Sequence, residues 1–290
     1  MFFLKIVVLA LIQGAAELLP VSSSAHVIVA EKFLGLDPSS PDMTFLLVML
    51  HTGTMFAVLC YFWPRWRALL RPSLPTAGPS PARFVGMVIL ATALTGVLGL
   101  GLKFGIEKVV LGRMLGQGQG EVEQLFKNLP LIGASLLAVG VFIIVAGSAE
   151  ARVKVTTVTA PTSALVGLVQ GLCLPFRGFS RSGATISTAL LCGMARPLAE
   201  DFSFALAVVL TPAVIGLELH RLLKSADWHG SAGLAHLLLP GLLGMACSFV
   251  SGLVALRFLS AALERGRWKY FGFYCIAAAL VVFAAALAGF

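Results

Sequence analysis

A chain of 290 residues that is 58% hydrophobic and 12% charged, with a mean hydropathy of +0.95, is no soluble globular domain; those run nearer about 45–50% apolar and about 25% charged. Its long apolar runs recur without strand-like alternation, so an all-α integral membrane protein is expected. The formal net charge of +8 lies mostly in loops between apolar runs, where membrane topology accounts for it, and no nucleic-acid partner is expected.

In chain order, residues 1–12 form an apolar run too short to cross about 30 Å of hydrocarbon. The run leads into a polar stretch and not into a small-residue cleavage site, so no cleavable signal peptide is expected. Residues 13–26, QGAAELLPVSSSAH, gather Gln13, Glu17, Ser22, Ser23, Ser24 and His26 around Pro20, and residues 27–36 form a second short apolar arm. Two short arms about a proline-containing polar bend predict a re-entrant hairpin, since irregular backbone at membrane depth needs protein or a wet cavity around it. Full spans are predicted over 43–62, 84–102 and 129–149. The loop at 63–83 carries Arg65, Arg67, Arg71 and Arg83 without an acid, and its prolines argue against a continuous helix. The loop at 103–128 mixes both signs, and Arg152 and Lys154 lie in the short loop that closes the first half.

The second half repeats this plan. Short arms at 161–176 and 184–195 flank a second polar stretch within QGLCLPFRGFSRSGATIS (170–187), and full spans follow at 201–218, 234–256 and 270–289. The loop at 257–269 carries Arg257, Arg265, Arg267 and Lys269 against one acid, Glu264. An offset of about 157 residues aligns Gln13-Gly14 with Gln170-Gly171, Phe45 with Phe202 and Thr54 with Thr211. Three spans per half is an odd number, which predicts a single membrane domain (1–290) built as an inverted-topology repeat, about 1–150 and about 158–290. About six full transmembrane helices and two re-entrant hairpins meeting near the midplane follow. The arginine-rich loops belong on the cytoplasmic side, which puts both termini outside. The five cysteines stand singly, without a CxxC, and are expected to pack and not to form disulfides or zinc sites.

Glu17 is costly in lipid and is therefore a functional candidate, with a structural ion pair as the alternative. Gln13 and Glu17 lie four residues apart and share a helix face; their oxygens suit a divalent cation, Mg²⁺ or Ca²⁺, with water and a substrate phosphate completing the shell. Beside the break at Pro20, Ser22, Ser23 and Ser24 offer hydroxyls and backbone N–H groups to an anion, unless they return hydrogen bonds to their own helix. His26, three residues after Ser23, is a candidate acid, base or nucleophile. Arg181, between Ser180 and Ser182 and followed by Gly183 and Thr185, suits phosphate, which its planar fork takes bidentately. Gly178 and Gly183 allow close backbone approach. Arg177 fits either the site or an interface. His51, within a span, reads as a packing or hydrogen-bonding residue, and His220, His229 and His236 as solvated.

At these two stretches the sequence resembles the bacterial undecaprenyl-pyrophosphate phosphatase family, also known for bacitracin resistance. The family's (E/Q)xxxE and PVSSxxH signatures are matched by Gln13, Glu17, Pro20-Val21-Ser22-Ser23 and His26. Its PGxSRSxxT signature is matched from Gly178 through Ser180-Arg181-Ser182 to Thr185, with Arg177 in place of the proline and Ala25 where glycine is usual before His26. The likeness extends over nearly the whole chain, FSFALAV (202–208) included. It implies removal of the terminal phosphate from a C55 polyprenyl diphosphate, recycling a lipid carrier for cell-wall synthesis. It also implies dependence on a divalent cation and a site opening to the outer face of the bacterial plasma membrane. Glu17, Ser23, His26 and Arg181 are then the catalytic candidates, expected to surround one cavity, with Ser22, Ser24, Gly178, Ser180, Ser182 and Thr185 around the phosphates. The nucleophile is either Ser23 or His26. The partners are the polyprenyl diphosphate lipid and the bilayer, and the sequence is compatible with a homodimer. A polyprenyl-phosphate transporter or flippase using the same pocket is the alternative, because inverted repeats with broken helices are also transporter architecture. The SRxxxxxHxxxD pattern of another membrane lipid phosphatase class is absent, since the sixth residue after Arg181 is Ser187.

Overall fold

The computed structural model describes residues 2–36, 40–70, 81–106, 108, 128–149, 155–224 and 231–288. Its helices in chain order are α1 (Phe2–Leu18), α2 (Ser23–Leu34), α3 (Pro41–Leu70), α4 (Pro81–Gly105), α5 (Leu129–Ser148), α6 (Ala160–Cys173), α7 (Arg181–Leu191), α8 (Arg196–Lys224), α9 (Ser231–Glu264) and α10 (Trp268–Leu287). Among the described residues six of these, α3, α4, α5, α8, α9 and α10, are long and apolar enough to cross a membrane. The chain is thus an all-α, multi-pass membrane protein. The pairs α1–α2 and α6–α7 are the two short-armed hairpins.

The chain divides into two compact units. The first comprises Met1–Leu19, Ser23–Arg67 and Phe204–Ala261, and the second Pro20–Ser22, Ala68–Ser203 and Ala262–Phe290. Within the first, Ile6, Leu9 and Ala10 of α1 pack with Val27 of α2 and Met43, Leu46 and Leu50 of α3. Gly14 brings α1 against α9, since a Cβ there would lie 2.5 Å from the Ser248 carbonyl oxygen. Within the second unit, Gly171 does the same for α6 on α4, where a Cβ would lie 3.0 Å from the Thr95 carbonyl oxygen. The glycine after each hairpin's glutamine therefore abuts a span belonging to the other half of the chain. Bilayer helices depend on such small contacts because lipid competes for every larger apolar surface.

Helices α5 and α10 pack antiparallel in the second unit: Gly133 meets Phe283, Gly140 meets Gly272, and Gly147 meets Lys269. A Cβ on Gly272 would sit 2.5 Å from the Gly140 carbonyl oxygen, and backbone cannot step aside as a side chain can. Gly272→Ala is expected to destabilise the detergent-solubilised protein by about 1–3 kcal/mol. An unchanged thermal unfolding midpoint would show that this contact is not tight.

Several boundaries differ from the sequence expectation. The polar stretch 13–26 is mostly helical: α1 runs on through Glu17 to Leu18, and only 19–22 form the bend before α2. Peptide groups left unpaired at low dielectric are costly, so the backbone stays helical until Pro20, which has no N–H to give. Helix α7 likewise begins at Arg181, not at 184, because Ser180 caps it: Gly183 N–H donates to Ser180 Oγ at 3.2 Å. Helix α3 continues through Pro64, despite the prolines of 63–83, and Arg65 stacks its guanidinium over Phe62 and Tyr61, at 5.5 and 5.8 Å from the ring centroids. The expected loop at 257–269 is helical to Glu264; the stop is Gly266, at φ +67°, with its N–H to Leu263 O and Arg267 N–H to Ala262 O. Arg71, Arg152, Lys154 and His229, and nearly all of the 103–128 loop, lie outside the described residues.

Candidate active site

One carboxylate oxygen collects the polar side chains of the first hairpin. Glu17 Oε2 accepts from Ser23 Oγ at 2.5 Å and from Gln13 Nε2 at 3.4 Å, and lies 4.0 Å from His51 Nε2. Helix α1 sets Gln13 one turn before Glu17, α2 presents Ser23 in its first turn, and α3 supplies His51. Gln13 is fully buried, while the Glu17 and His51 side chains keep 21% and 31% of their surface exposed, so the cluster is reachable. His26 stands one turn beyond Ser23 on α2 and is half-buried, as is Ser24. Ser22, just before α2, is buried in the left-handed region at φ +67°, a conformation uncommon outside glycine. The hairpin is tied at its open end, where Lys5 Nζ donates to the Leu34 carbonyl at the C-terminus of α2.

His51 is the residue that sequence reading undervalued. Its Nδ1 lies 2.8 Å from the Leu47 carbonyl oxygen, which can only accept, so Nδ1 carries the proton. The ring thus turns Nε2 toward Glu17. The one sequence signal was a histidine inside an apolar span, MLHTGT.

The second hairpin builds a different chemistry at the N-terminus of α7. Ser180 and Ser182 are buried with their hydroxyls 3.4 Å apart, and the half-buried Arg181 reaches the Ser203 carbonyl with Nη1 at 3.5 Å. The first-turn amides of a helix and its dipole both favour an anion at this end. Gly178, at φ +96°, turns the chain into the cap, and a Cβ on it would lie 2.5 Å from the Ile132 carbonyl oxygen. Thr185 is fully buried; its Oγ1 donates to Arg181 O at 2.9 Å and is 2.6 Å from Ser203 Oγ. With its proton committed to Arg181 O, Thr185 accepts from Ser203 and braces the turn that carries Arg181. Ser203 is the other residue missed, its sole sequence signal being its place in FSFALAV. Trp268 Nε1 donates to Ser187 Oγ at 3.0 Å and anchors α7 on α10.

The two halves are not chemically equivalent. The offset that aligns Gln13 with Gln170 sets Leu174 against Glu17. Gln170 is buried and spends its amide on Thr95 Oγ1 at 3.1 Å, which in turn bonds the Gly167 carbonyl at 2.9 Å. The acid function belongs to the first hairpin alone, and the second contributes a cationic, hydroxyl-rich helix end.

A model of the family described as bacitracin resistance protein BacA matches residues 6–281. The chain is 53% identical over 287 residues to the undecaprenyl-diphosphatase 2 of Acinetobacter baylyi, covering 97% of each protein. It is 35% identical over 287 residues to an undecaprenyl-diphosphatase of Desulfosudis oleivorans, at 93% of each. With that of Treponema denticola it shares 32% identity over 285 residues, covering 95% of this chain and 94% of the relative.

Proposed function

The chain belongs to the bacitracin resistance protein BacA family, and from that membership we propose that it is an undecaprenyl-diphosphatase in which Ser23 is the nucleophile and Glu17 its base. The observation that carries the assignment is the 2.5 Å contact between Ser23 Oγ and Glu17 Oε2. A hydroxyl is a weak nucleophile until a base takes its proton, and this carboxylate is already seated to do so. Between the two candidate nucleophiles, Ser23 has its base in place, and His26 is left as a proton-transfer group one turn away.

In the proposed reaction Ser23 Oγ attacks the terminal phosphorus as its proton passes to Glu17. The bridging P–O bond breaks and the lipid monophosphate leaves. Glu17 releases that proton to solvent, takes one from the water that attacks the phosphoserine, and returns it to Ser23 Oγ as the Oγ–P bond breaks and inorganic phosphate departs. Arg181 donates to the oxygens of the transferred phosphoryl group, where charge spreads in the transition state. Ser180 and Ser182 help to hold the diphosphate at the α7 N-terminus, and Ser22, Ser24 and Gly178 are further candidates for phosphate binding. Thr185 acts through Arg181.

Gln13 and Glu17 would hold the divalent cation. Among the described residues no three His, Cys, Asp or Glu side chains cluster around a common point. An amide and a carboxylate are hard oxygen donors that fit such an ion only with water and substrate oxygens completing its shell. When bound, it supplies neutralisation of phosphate charge.

We place the protein in the bacterial plasma membrane with both termini and the site on the outer face. The reading is supported by the arginines that gather at the ends of α3, α4, α9 and α10: Arg65, Arg67, Arg83, Arg257, Arg265, Arg267 and Lys269. The inverted repeat is supported by the crosswise α1–α9 and α6–α4 packing and by the antiparallel α5–α10 pair.

The purified protein in detergent is expected to release one phosphate per undecaprenyl diphosphate and to stop with EDTA. Tight binding of the lipid with no phosphate release under any divalent cation would favour the transporter reading. Rapid quench is expected to trap an acid-stable, alkali-labile phosphoenzyme, and an acid-labile one would move the nucleophile to His26. Ser203→Ala is expected to lower kcat about tenfold with KM little changed, because Thr185 loses the hydroxyl that braces the turn carrying Arg181, whose own contact to the Ser203 main-chain carbonyl stays. A lower melting point with unchanged kcat would make Ser203 a packing residue only.

A further inference from the structure

We infer that His51 is a third protein ligand of the divalent cation at Glu17, so that the site prefers an ion that accepts nitrogen, such as Mn²⁺ or Co²⁺, to Ca²⁺. The inference rests on the cation-dependent reading above and names the residue that reading leaves without a task. Nδ1 of His51 is committed to the Leu47 carbonyl at 2.8 Å, which fixes the ring's orientation and turns Nε2 toward Glu17 Oε2, 4.0 Å away. That separation is too long for a direct hydrogen bond, and a cation taken by Glu17 would lie within reach of Nε2.

The surrounding arrangement matches how proteins orient metal-bound imidazoles. A ligating histidine characteristically donates its other ring N–H to a carbonyl or carboxylate, which sets both tautomer and ring orientation. His51 already does this with Leu47 O. Glu17 Oε2 is the atom on which Gln13 and Ser23 also converge, so the ion would sit beside the nucleophile's base. An imidazole in an otherwise oxygen-lined site raises affinity for first-row transition ions and adds nothing for Ca²⁺, which takes oxygen ligands.

The test uses the full-length protein in detergent with Mn²⁺ as the probe. Electron spin-echo modulation of bound Mn²⁺ is expected to show coupling to an imidazole ¹⁴N, and the pattern changes when histidine is supplied as ¹⁵N. In His51→Gln the coupling disappears and Mn²⁺ affinity falls by about tenfold or more, a loss at least as large as that of an outer-shell partner, while competition by Ca²⁺ is little changed. His26→Gln keeps the coupling. Bound Mn²⁺ without nitrogen coupling in the parent protein overturns the assignment. So does coupling that survives His51→Gln, or equal loss of Mn²⁺ and Ca²⁺ affinity. The parent's isotope result stands even if the variant folds poorly. Failure to release phosphate from the lipid diphosphate would retire the phosphatase reading without touching the nitrogen coupling. Release with no coupling retires only the His51 ligand.

Discussion

Glu17→Gln is expected to lower phosphate release from undecaprenyl diphosphate by about 10²–10⁴-fold, the range ascribed to a positioned general base. The substitution keeps the shape of the side chain and a hydrogen-bonding partner for Ser23, which lies 2.5 Å from the carboxylate. An amide cannot take the hydroxyl proton, and it holds a cation less strongly than a carboxylate does. Glu17 is half-buried, with 21% of its side chain exposed, and a thermal midpoint close to the parent's would exclude unfolding as the source of the loss. Turnover within about tenfold of the parent, less than the smallest effect expected of a base, would remove Glu17 from the proton path and return the nucleophile question to His26.

Arg181→Lys is expected to cost about 10²–10³ in turnover, as the loss of one transition-state donor does. The charge survives, but the planar fork does not, and lysine cannot make two parallel hydrogen bonds to one phosphate. The Nη1 contact to the Ser203 carbonyl at 3.5 Å also goes, so the replacement loses its seat as well as its geometry. If Glu17 and Arg181 serve one transition state, the double variant should fall far short of the product of the two losses. Full multiplicativity would mean that the two residues act independently.

Much of this was legible in the residues alone. Six apolar runs mark the six helices that, among the described residues, are long and apolar enough to cross a membrane, because hydrocarbon thickness sets a minimum length that composition reveals directly. The two polar stretches marked the hairpins for the same reason: polar side chains at membrane depth are expensive and persist where they have work. The i, i+4 spacing of Gln13 and Glu17, and a helix restart at Ser23, follow from helical periodicity, and the structure has both.

Tertiary structure decided the rest. Sequence marked the prolines in 63–83 and the charges in 257–269 as loop, yet α3 passes through Pro64 and α9 runs to Glu264. Those stops depend on which backbone groups find partners, as at Gly266, and not on where charge first appears. No periodicity shows that His51 of α3 faces Glu17 of α1, or that Ser203 of α8 braces Thr185 of α7, since each pair joins residues far apart in the chain. Composition and spacing determined that the chain is an all-α membrane protein and singled out the candidate residues. Side-chain packing between helices decided which neighbour each meets, because only close approach sets a hydrogen bond.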